Sequence, residues 1–425
     1  MNQTNGDKLN FSKGWGRRRI ISFHPRKQHN FEQAAMLAAV FPDRFLHVTS
    51  VYFPPLLIKI LKKISSRIGN QLGKRSYSTL PGKYVRTLPS TEIKRWRLEK
   101  KQGPAHLSDY MDLNEFWQKK VLNHFGPPGI CISYDGISRH LFRAWKGKSL
   151  LVLDLAIGIP QYRVKIQYGK DFHLGMLDEV DEVRKKLFDW YNQEIELADI
   201  ILCGSEFVKM TVVYFFPAFA EKCKILPYGT DLEAFSFPER KFKQEGEDLK
   251  FVFVGRLSLR KGAHQLLEAW KDFVMYHPTA ELHFFGTPDQ EIDMQNLPVN
   301  VHWHGWMRPT DLITQLKTMD IMVFPTTFEG SSIAVFQAMA LKLPVITTRN
   351  SGTVLKHGES CEIVEAGDKA GLVMAMEKLL QDPGYRIQLA EKAYGLSRNF
   401  TWEDYKTRLG EILTEKTPCK NLPNL

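Results

Sequence analysis

Cysteine is scarce in this 425-residue chain: there are five, Cys131, Cys203, Cys223, Cys361 and Cys419, and no two form a C-x-x-C pair. That spacing argues against both a disulfide framework and a cysteine zinc site. Cys131, Cys203 and Cys361 sit in apolar, strand-like runs, the setting of free buried thiols in a reducing compartment. No apolar run reaches the roughly 18–20 residues that span a bilayer. The opening MNQTNGDKLNFSKGWGRRR lacks the apolar core of a secretory signal, so a cytoplasmic location is expected. No D-x-D segment appears, and His302 and His304 alternate on a strand with no carboxylate or cysteine partner in view. No metal and no cofactor are therefore expected. Acid is short at one end only: residues 1–100 hold 20 Lys and Arg against 5 Asp and Glu, while the rest is near balance. The net charge of +11 thus comes from the N-terminal end.

What is present points to two α/β domains. The chain is too long for one ordinary core. Its first half offers short apolar runs at 19–23, 44–50, 130–134, 150–155, 200–205 and 223–227, with helical patterns at 30–40, 109–125 and 177–197. Residues 1–18 read as a polar lead-in, 76–101 as irregular and basic, and 238–247 as a turn-rich linker edge. From residue 249 the alternation is cleaner. Strands at 250–254, 281–285, 300–304, 321–325, 343–347 and 362–364 are separated by helices at 263–276, 311–318, 331–340, 369–380 and 385–397. Strands alternating with helices imply a parallel sheet covered on both faces, and ligands then bind at the carboxyl ends of the strands.

Two segments carry the chemistry. In FVFVGRLSLRKG, 251–262, a strand ends at Gly255, a loop offers Arg256 and Lys261, and a helix follows. A helix start has free N–H groups and a partial positive charge; Arg256 can fork onto two phosphate oxygens, and Lys261 acts as a point charge. This is a place for a diphosphate. In FPTTFEGSSIAVFQAMALKLPVITTRNSG, 324–352, a strand ends at Pro325 and a loop presents Glu329, Gly330, Ser331 and Ser332 before a small-residue helix. Gly330 lets backbone approach a ligand, and Glu329 can accept hydrogen bonds from sugar hydroxyls. Gln337, two turns on, can reach a ribose.

Together these segments resemble the C-terminal domain of glycosyltransferase family 4, the retaining nucleotide-sugar enzymes of GT-B fold. Val254-Gly255-Arg256-Leu257 and Lys261-Gly262 match the family's V-G-R-L-x-x-x-K-G, whose Arg and Lys meet the donor diphosphate. Glu329-Gly330-Ser331-Ser332, Gln337-Ala338-Met339-Ala340 and Pro344-Val345-Ile346 match its E-G-F-G, E-A-M-A and P-V-I blocks. By that likeness Glu329 meets the transferred sugar. Gln337 stands where the family has the Glu that holds the ribose, keeping a carbonyl and losing the charge; Lys342 stands where the family has Gly. Leu282 to Gly286 resembles the strand that ends near the base, and Gly305-Trp306-Met307 the loop that covers it. The resemblance is good from about residue 198 onward and weak before it.

The resemblance implies GT-B architecture, two doubly wound Rossmann-like domains facing an interdomain cleft. It implies an acceptor-side domain at 1–229, a donor domain at 230–400 and a helix at 401–425 that crosses back. It implies a nucleotide diphosphate sugar as donor and a glycan, lipid-linked glycan or metabolite hydroxyl as acceptor. The first half departs from the pattern. The glycine-rich first loop is replaced by His24-Pro25-Arg26-Lys27-Gln28-His29, and the mid-domain loop 154–160, DLAIGIP, has no His. His29 and Asp154 are the catalytic candidates there. Residues 54–75 interleave Leu56, Ile60, Ile64 and Ile68 with Lys59, Lys62, Lys63 and Arg67, the pattern of a core helix or of a helix on an anionic membrane. No helix-turn-helix, RNA-binding or zinc signature supports specific nucleic-acid binding. Two other readings stay open: a non-catalytic GT-B protein that binds nucleotide sugar or glycan, and a basic protein of membranes or polyanions.

Overall fold

The computed structural model describes residues 19–26, 29–102, 106–235 and 240–415. The polar lead-in at 1–18, Cys419, the last ten residues and part of the linker edge lie outside the described residues. The first sheet has seven parallel strands: β1 (Ile20–Phe23), β2 (Phe45–Thr49), β3 (Val85–Thr87), β4 (Ile130–Tyr134), β5 (Leu150–Leu155), β6 (Ile200–Cys203) and β7 (Cys223–Ile225). Their order is β3-β2-β1-β4-β5-β6-β7, so the chain reverses its winding between β1 and β4. The second sheet has β8 (Lys250–Val254), β9 (Glu281–Phe285), β10 (Val301–Trp303), β11 (Ile321–Phe324), β12 (Val345–Thr347) and β13 (Glu362–Ile363), in the order β10-β9-β8-β11-β12-β13. It reverses between β8 and β11. Central strands are buried along their length, as expected where helices cover both faces. A crevice outside the strand ends at such reversals is where ligands bind in this kind of sheet.

Five stretches of the first half differ from the sequence expectation. Residues 54–71 are not one helix but two, Pro55–Ile64 and Ser66–Gly73, broken where Ser65 is extended (φ −150°) and accepts from the Ile68 N–H at 3.4 Å. A serine that caps a following helix competes with continuing the preceding one. The 76–101 stretch is not irregular: it contains β3 and the helix Ser90–Gln102. That helix has no apolar stripe to read, and it is supported by Glu92–Arg95–Glu99 pairs at 2.6 and 3.0 Å along one face. Short helices Arg139–Trp145, Pro160–Tyr168 and Glu206–Phe215 also lie between strands where the sequence suggested none.

The two halves are joined twice, side by side. The chain enters the second half at Thr230 and leaves it at Thr401, and these residues form a parallel bridge, with the Thr230 N–H donating to Phe400 O at 2.9 Å. Gly229 has room for no side chain, since a Cβ there would sit 2.3 Å from Thr401 C and 2.4 Å from Trp402 N. The helix Trp402–Glu415 then returns to the first half. Its Tyr405, Leu409 and Leu413 are buried in one cluster with Phe31, Ala34 and Leu37 of the helix Asn30–Val40. Burying each such leucine contributes on the order of 1.5–3 kcal/mol, so the last helix is part of the first domain's core.

Candidate functional site

The ends of β8 and β9 are drawn together by glycine. Gly255 (φ +142°) donates to Phe285 O at 2.9 Å, and a Cβ on Gly286 (φ +151°) would lie 1.8 Å from Gly255 O. Only glycine tolerates both the φ and the approach. The loop after β8 then closes onto β11. A Cβ on Gly262 (φ +75°) would meet Pro325 O at 2.1 Å, and Arg260 O accepts from the Thr326 hydroxyl, the Thr327 hydroxyl and the Thr327 N–H at 3.0, 3.0 and 2.9 Å. This knitting fixes Lys261 beside the loop that carries Glu329.

Glu329 is largely buried, and its Oε2 lies 3.1 Å from Lys261 Nζ and 3.1 Å from Arg260 Nη1. Burial alone would raise its pKa; the charges of Lys261 and Arg260 outweigh it and hold the carboxylate below its usual range. Arg260, whose Nη1 also donates to Phe328 O at 2.6 Å, was not among the residues singled out from sequence. Its only signal there was its place beside Lys261. Arg256 does not join this cluster: its guanidinium is 70% exposed and donates through Nε to Asp289. Gln337 is half-buried on the helix Ile333–Ala340, and its amide has no side-chain partner among the described residues. Met307 packs partly buried against the second core, with Trp306 exposed beside it.

The Gly330–Ser332 turn serves two purposes. The N–H groups of Ser331, Ser332, Ile333 and Ala334 donate to no acceptor among the described residues, leaving a helix start open to an anion. The Ser331 side chain points toward the first domain. Its hydroxyl accepts from the Tyr228 N–H at 3.1 Å, so it holds the first domain rather than a ligand. Around it the two halves touch closely: Ser205 Oγ donates to Gly330 O at 2.6 Å, and a Cβ on Gly330 would stand 1.9 Å from Ala156 O. Phe328, from the same loop, is buried in the first domain's core against Phe207, ring centres 5.7 Å apart.

His29 and Asp154 come together, 3.5 Å apart, but beneath the cleft wall rather than on it, with side chains 9% and 5% exposed. Gln33 donates to Asp154 at 2.6 Å and shares hydrogen bonds with Tyr405 (2.7 Å) and Tyr134 (2.6 Å), and the His29 ring lies on Tyr228. The pair is thus set in a buried network that ties the returning helix to β5. Burial lowers the pKa of His29, but the Asp154 carboxylate, and then Asp135, turn the net shift upward. A raised folded pKa contributes stability that is full below the unfolded value of about 6.5 and is lost as pH rises through the folded value. Stability is therefore expected to decline more from about pH 6 to about pH 9 in the native chain than in His29→Gln. Denaturant titrations at both pH values check this, and equal declines would remove the pair's role.

The Glycosyl transferases group 1 family model matches residues 236–396. The capsular polysaccharide biosynthesis glycosyltransferase CapM of Staphylococcus aureus is 27% identical over 236 residues, 51% of this chain and 62% of that protein. The D-inositol 3-phosphate glycosyltransferase of Corynebacterium kroppenstedtii is 26% identical over 244 residues, 52% of this chain and 54% of that protein. The chain thus spans a little over half the length of these curated relatives. Among solved structures, HepE of Anabaena in complex with UDP and glucose superposes with a TM-score of 0.61 at 14% identity, covering 94% of this chain and 100% of that one. Sucrose-phosphate synthase of Thermosynechococcus elongatus gives 0.61 at 15% identity, over 94% and 99%. The chain therefore has the GT-B fold, and the stretch of its second half that holds the Lys261–Glu329 cluster is similar to the group 1 glycosyl transferases.

Proposed function

We propose that this chain is a retaining glycosyltransferase of the family 4 type, moving a hexose from a nucleotide diphosphate sugar to a hydroxyl acceptor. One observation carries the reading: Lys261, Arg260 and Glu329 meet beside an open helix start at the strand ends of the second sheet. In this reading the second domain, 230–400, holds the donor. Lys261 and Arg256 offset charge growing on the leaving diphosphate, and the Ser331–Ala334 N–H groups hold its oxygens. Glu329, kept ionised by its two cations, accepts from sugar hydroxyls. Gln337 accepts from the ribose, and Gly286 and Met307 border the base. The first domain brings the acceptor, a glycan, lipid-linked glycan or metabolite, and closure at Gly330 excludes water. His29 and Asp154 position the first domain's loops from behind rather than touching substrate. The chemistry needs no metal and no cofactor.

The test is a thermal-shift series with UDP, GDP, ADP and their sugar conjugates, followed by transfer assays with the one that binds. A ligand at a hundred times its dissociation constant stabilises by about 2.7 kcal/mol. No shift with any diphosphate would sink the donor site. Binding without transfer or hydrolysis would favour the second reading, a non-catalytic nucleotide-sugar or glycan-binding protein, which the Gln337 amide motivates.

The partner of residues 54–75 is proposed to be an anionic membrane surface, at its cytoplasmic side. The helix Pro55–Ile64 buries only Ile58, while Leu56 and Ile64 are 70% and 77% exposed and Lys62 and Lys63 close its last turn. Apolar residues beside lysines suit a helix lying in the headgroup region. No helix among the described residues is long and apolar enough to cross a membrane. Co-sedimentation with phosphatidylserine vesicles is expected to fall at least about tenfold in Leu56→Asp/Ile64→Asp, and to fall with salt. Vesicle binding unchanged in that variant would leave these helices as ordinary surface.

A further inference from the structure

The outer edge of the second sheet carries a cluster that the sugar-transfer reading does not use. β9 and β10 pair in parallel with His302 directly opposite His283. Side chains alternate along strands, so Glu281 and His283 share a face with His302 and His304. The imidazoles stack, with the His283 ring centre 4.9 Å from that of His302 and 5.2 Å from that of His304. His283 Nε2 lies 2.9 Å from Glu281 Oε2, and His283 Nδ1 lies 2.9 Å from His304 Nε2. One ligand atom from each of Glu281, His283 and His302 falls within 4.8 Å of the other two. The histidines were set aside in the sequence for want of a carboxylate; pairing of β9 with β10 supplies one from twenty-one residues upstream of His302.

We propose that Glu281, His283 and His302 form a binding site for a zinc-class divalent transition ion, with His304 as a positioning residue. Two imidazoles and one carboxylate with an open fourth position are a ligand set for zinc, whereas calcium and magnesium require mostly oxygen. Without an ion, His283 Nε2–H donates to the Glu281 carboxylate; an ion that binds there displaces that proton, and the ring then carries its proton on Nδ1, where His304 Nε2 can accept it. The competing charge is Lys250, whose Nζ lies 3.3 Å from Glu281 Oε2. That side chain is 38% exposed and can extend into solvent when an ion takes its place. The site is on the sheet edge, not among the loops around Glu329. Its effect is to tie β10, a three-residue strand, to β9, and so to steady the Gly305–Met307 loop that follows.

The experiment uses the full chain, stripped with chelator and titrated with Zn²⁺ by calorimetry and with Co²⁺ by visible absorption. About one equivalent is expected to bind, with Co²⁺ ligand-field bands of low coordination number. His302→Ala and Glu281→Gln should each weaken binding at least about tenfold. Lys250→Met should tighten it. His304→Ala should weaken it, and His304→Gln, whose carbonyl can still accept from His283, should restore it. His302 is exposed, so its loss does not threaten folding. Absence of binding at millimolar metal, or equal binding by His302→Ala, overturns the proposal. Either result leaves the sugar-transfer reading untouched, because nucleotide binding is measured separately.

Discussion

Replacing Lys261 by alanine is expected to slow transfer by about a hundred- to a thousand-fold with the fold intact, the cost of removing one preorganised charge from a growing anion. Two effects add. The leaving diphosphate loses a point charge fixed at the helix start. Glu329, largely buried, keeps only Arg260 at 3.1 Å, and a buried carboxylate with half its compensation is less firmly held in the orientation that would meet the sugar. The loss should appear in kcat, since the charge matters most where the leaving group develops its own. Arg256→Ala should cost less, because that guanidinium is solvent-exposed and tethered to Asp289. Initial rates at saturating donor check the order. A Lys261→Ala enzyme within about threefold of native kcat would remove this residue from the mechanism.

The second large effect lies at Gly330. A Cβ there meets Ala156 O at 1.9 Å and Ala156 C at 2.9 Å, both backbone atoms of the other domain. Neither can yield as a flexible side chain would. Gly330→Ala should therefore push the two halves apart at the loop carrying Glu329 and abolish the Ser205–Gly330 hydrogen bond. A displacement near 1 Å at reacting groups costs about a hundredfold, and at least that loss is expected. Far-UV circular dichroism should be unchanged, because neither sheet is touched. Gly126→Ala is the control, since no atom lies within 4 Å of a Cβ at that position. Equal activity in the two variants would mean that the interdomain contact does not govern transfer.

How much of this was legible in the sequence follows from how far each feature reaches along the chain. β8, β9 and the helix Ala263–Tyr276 were read to the residue, because an apolar run bounded by charge is a local signal. The helix Ser90–Gln102 was missed because its stability comes from salt-bridged neighbours and not from an apolar stripe. The family resemblance put Lys261 and Glu329 at one donor site, but their ion pair and the part of Arg260 were not legible, since Arg260 is held by three hydrogen bonds to its carbonyl from the loop after the neighbouring strand β11. The Ser331 hydroxyl accepts from the Tyr228 N–H, a partner 103 residues away that no local pattern shows. The carboxylate beside the histidines of β10 was invisible for the same reason: adjacency across a sheet leaves no trace in linear spacing. His29 and Asp154, two separate candidates in the sequence, are neighbours in the fold, and both side chains are buried.

The paired crossing at Thr230 and Thr401 has a mechanical meaning. Topologically, the second domain is an insertion in the first, spliced in after β7 and closed off before the final helix. A module held by one strand can swivel. A module held by two strands, bridged to each other and packed without room for a Cβ at Gly229, can swing about the line they define but resists torsion. Two bridged crossings thus leave the halves an arc about one line as their easy direction, and along that line Gly330 is held against the Ala156 carbonyl. Registration between the two leaves is built into the joint itself.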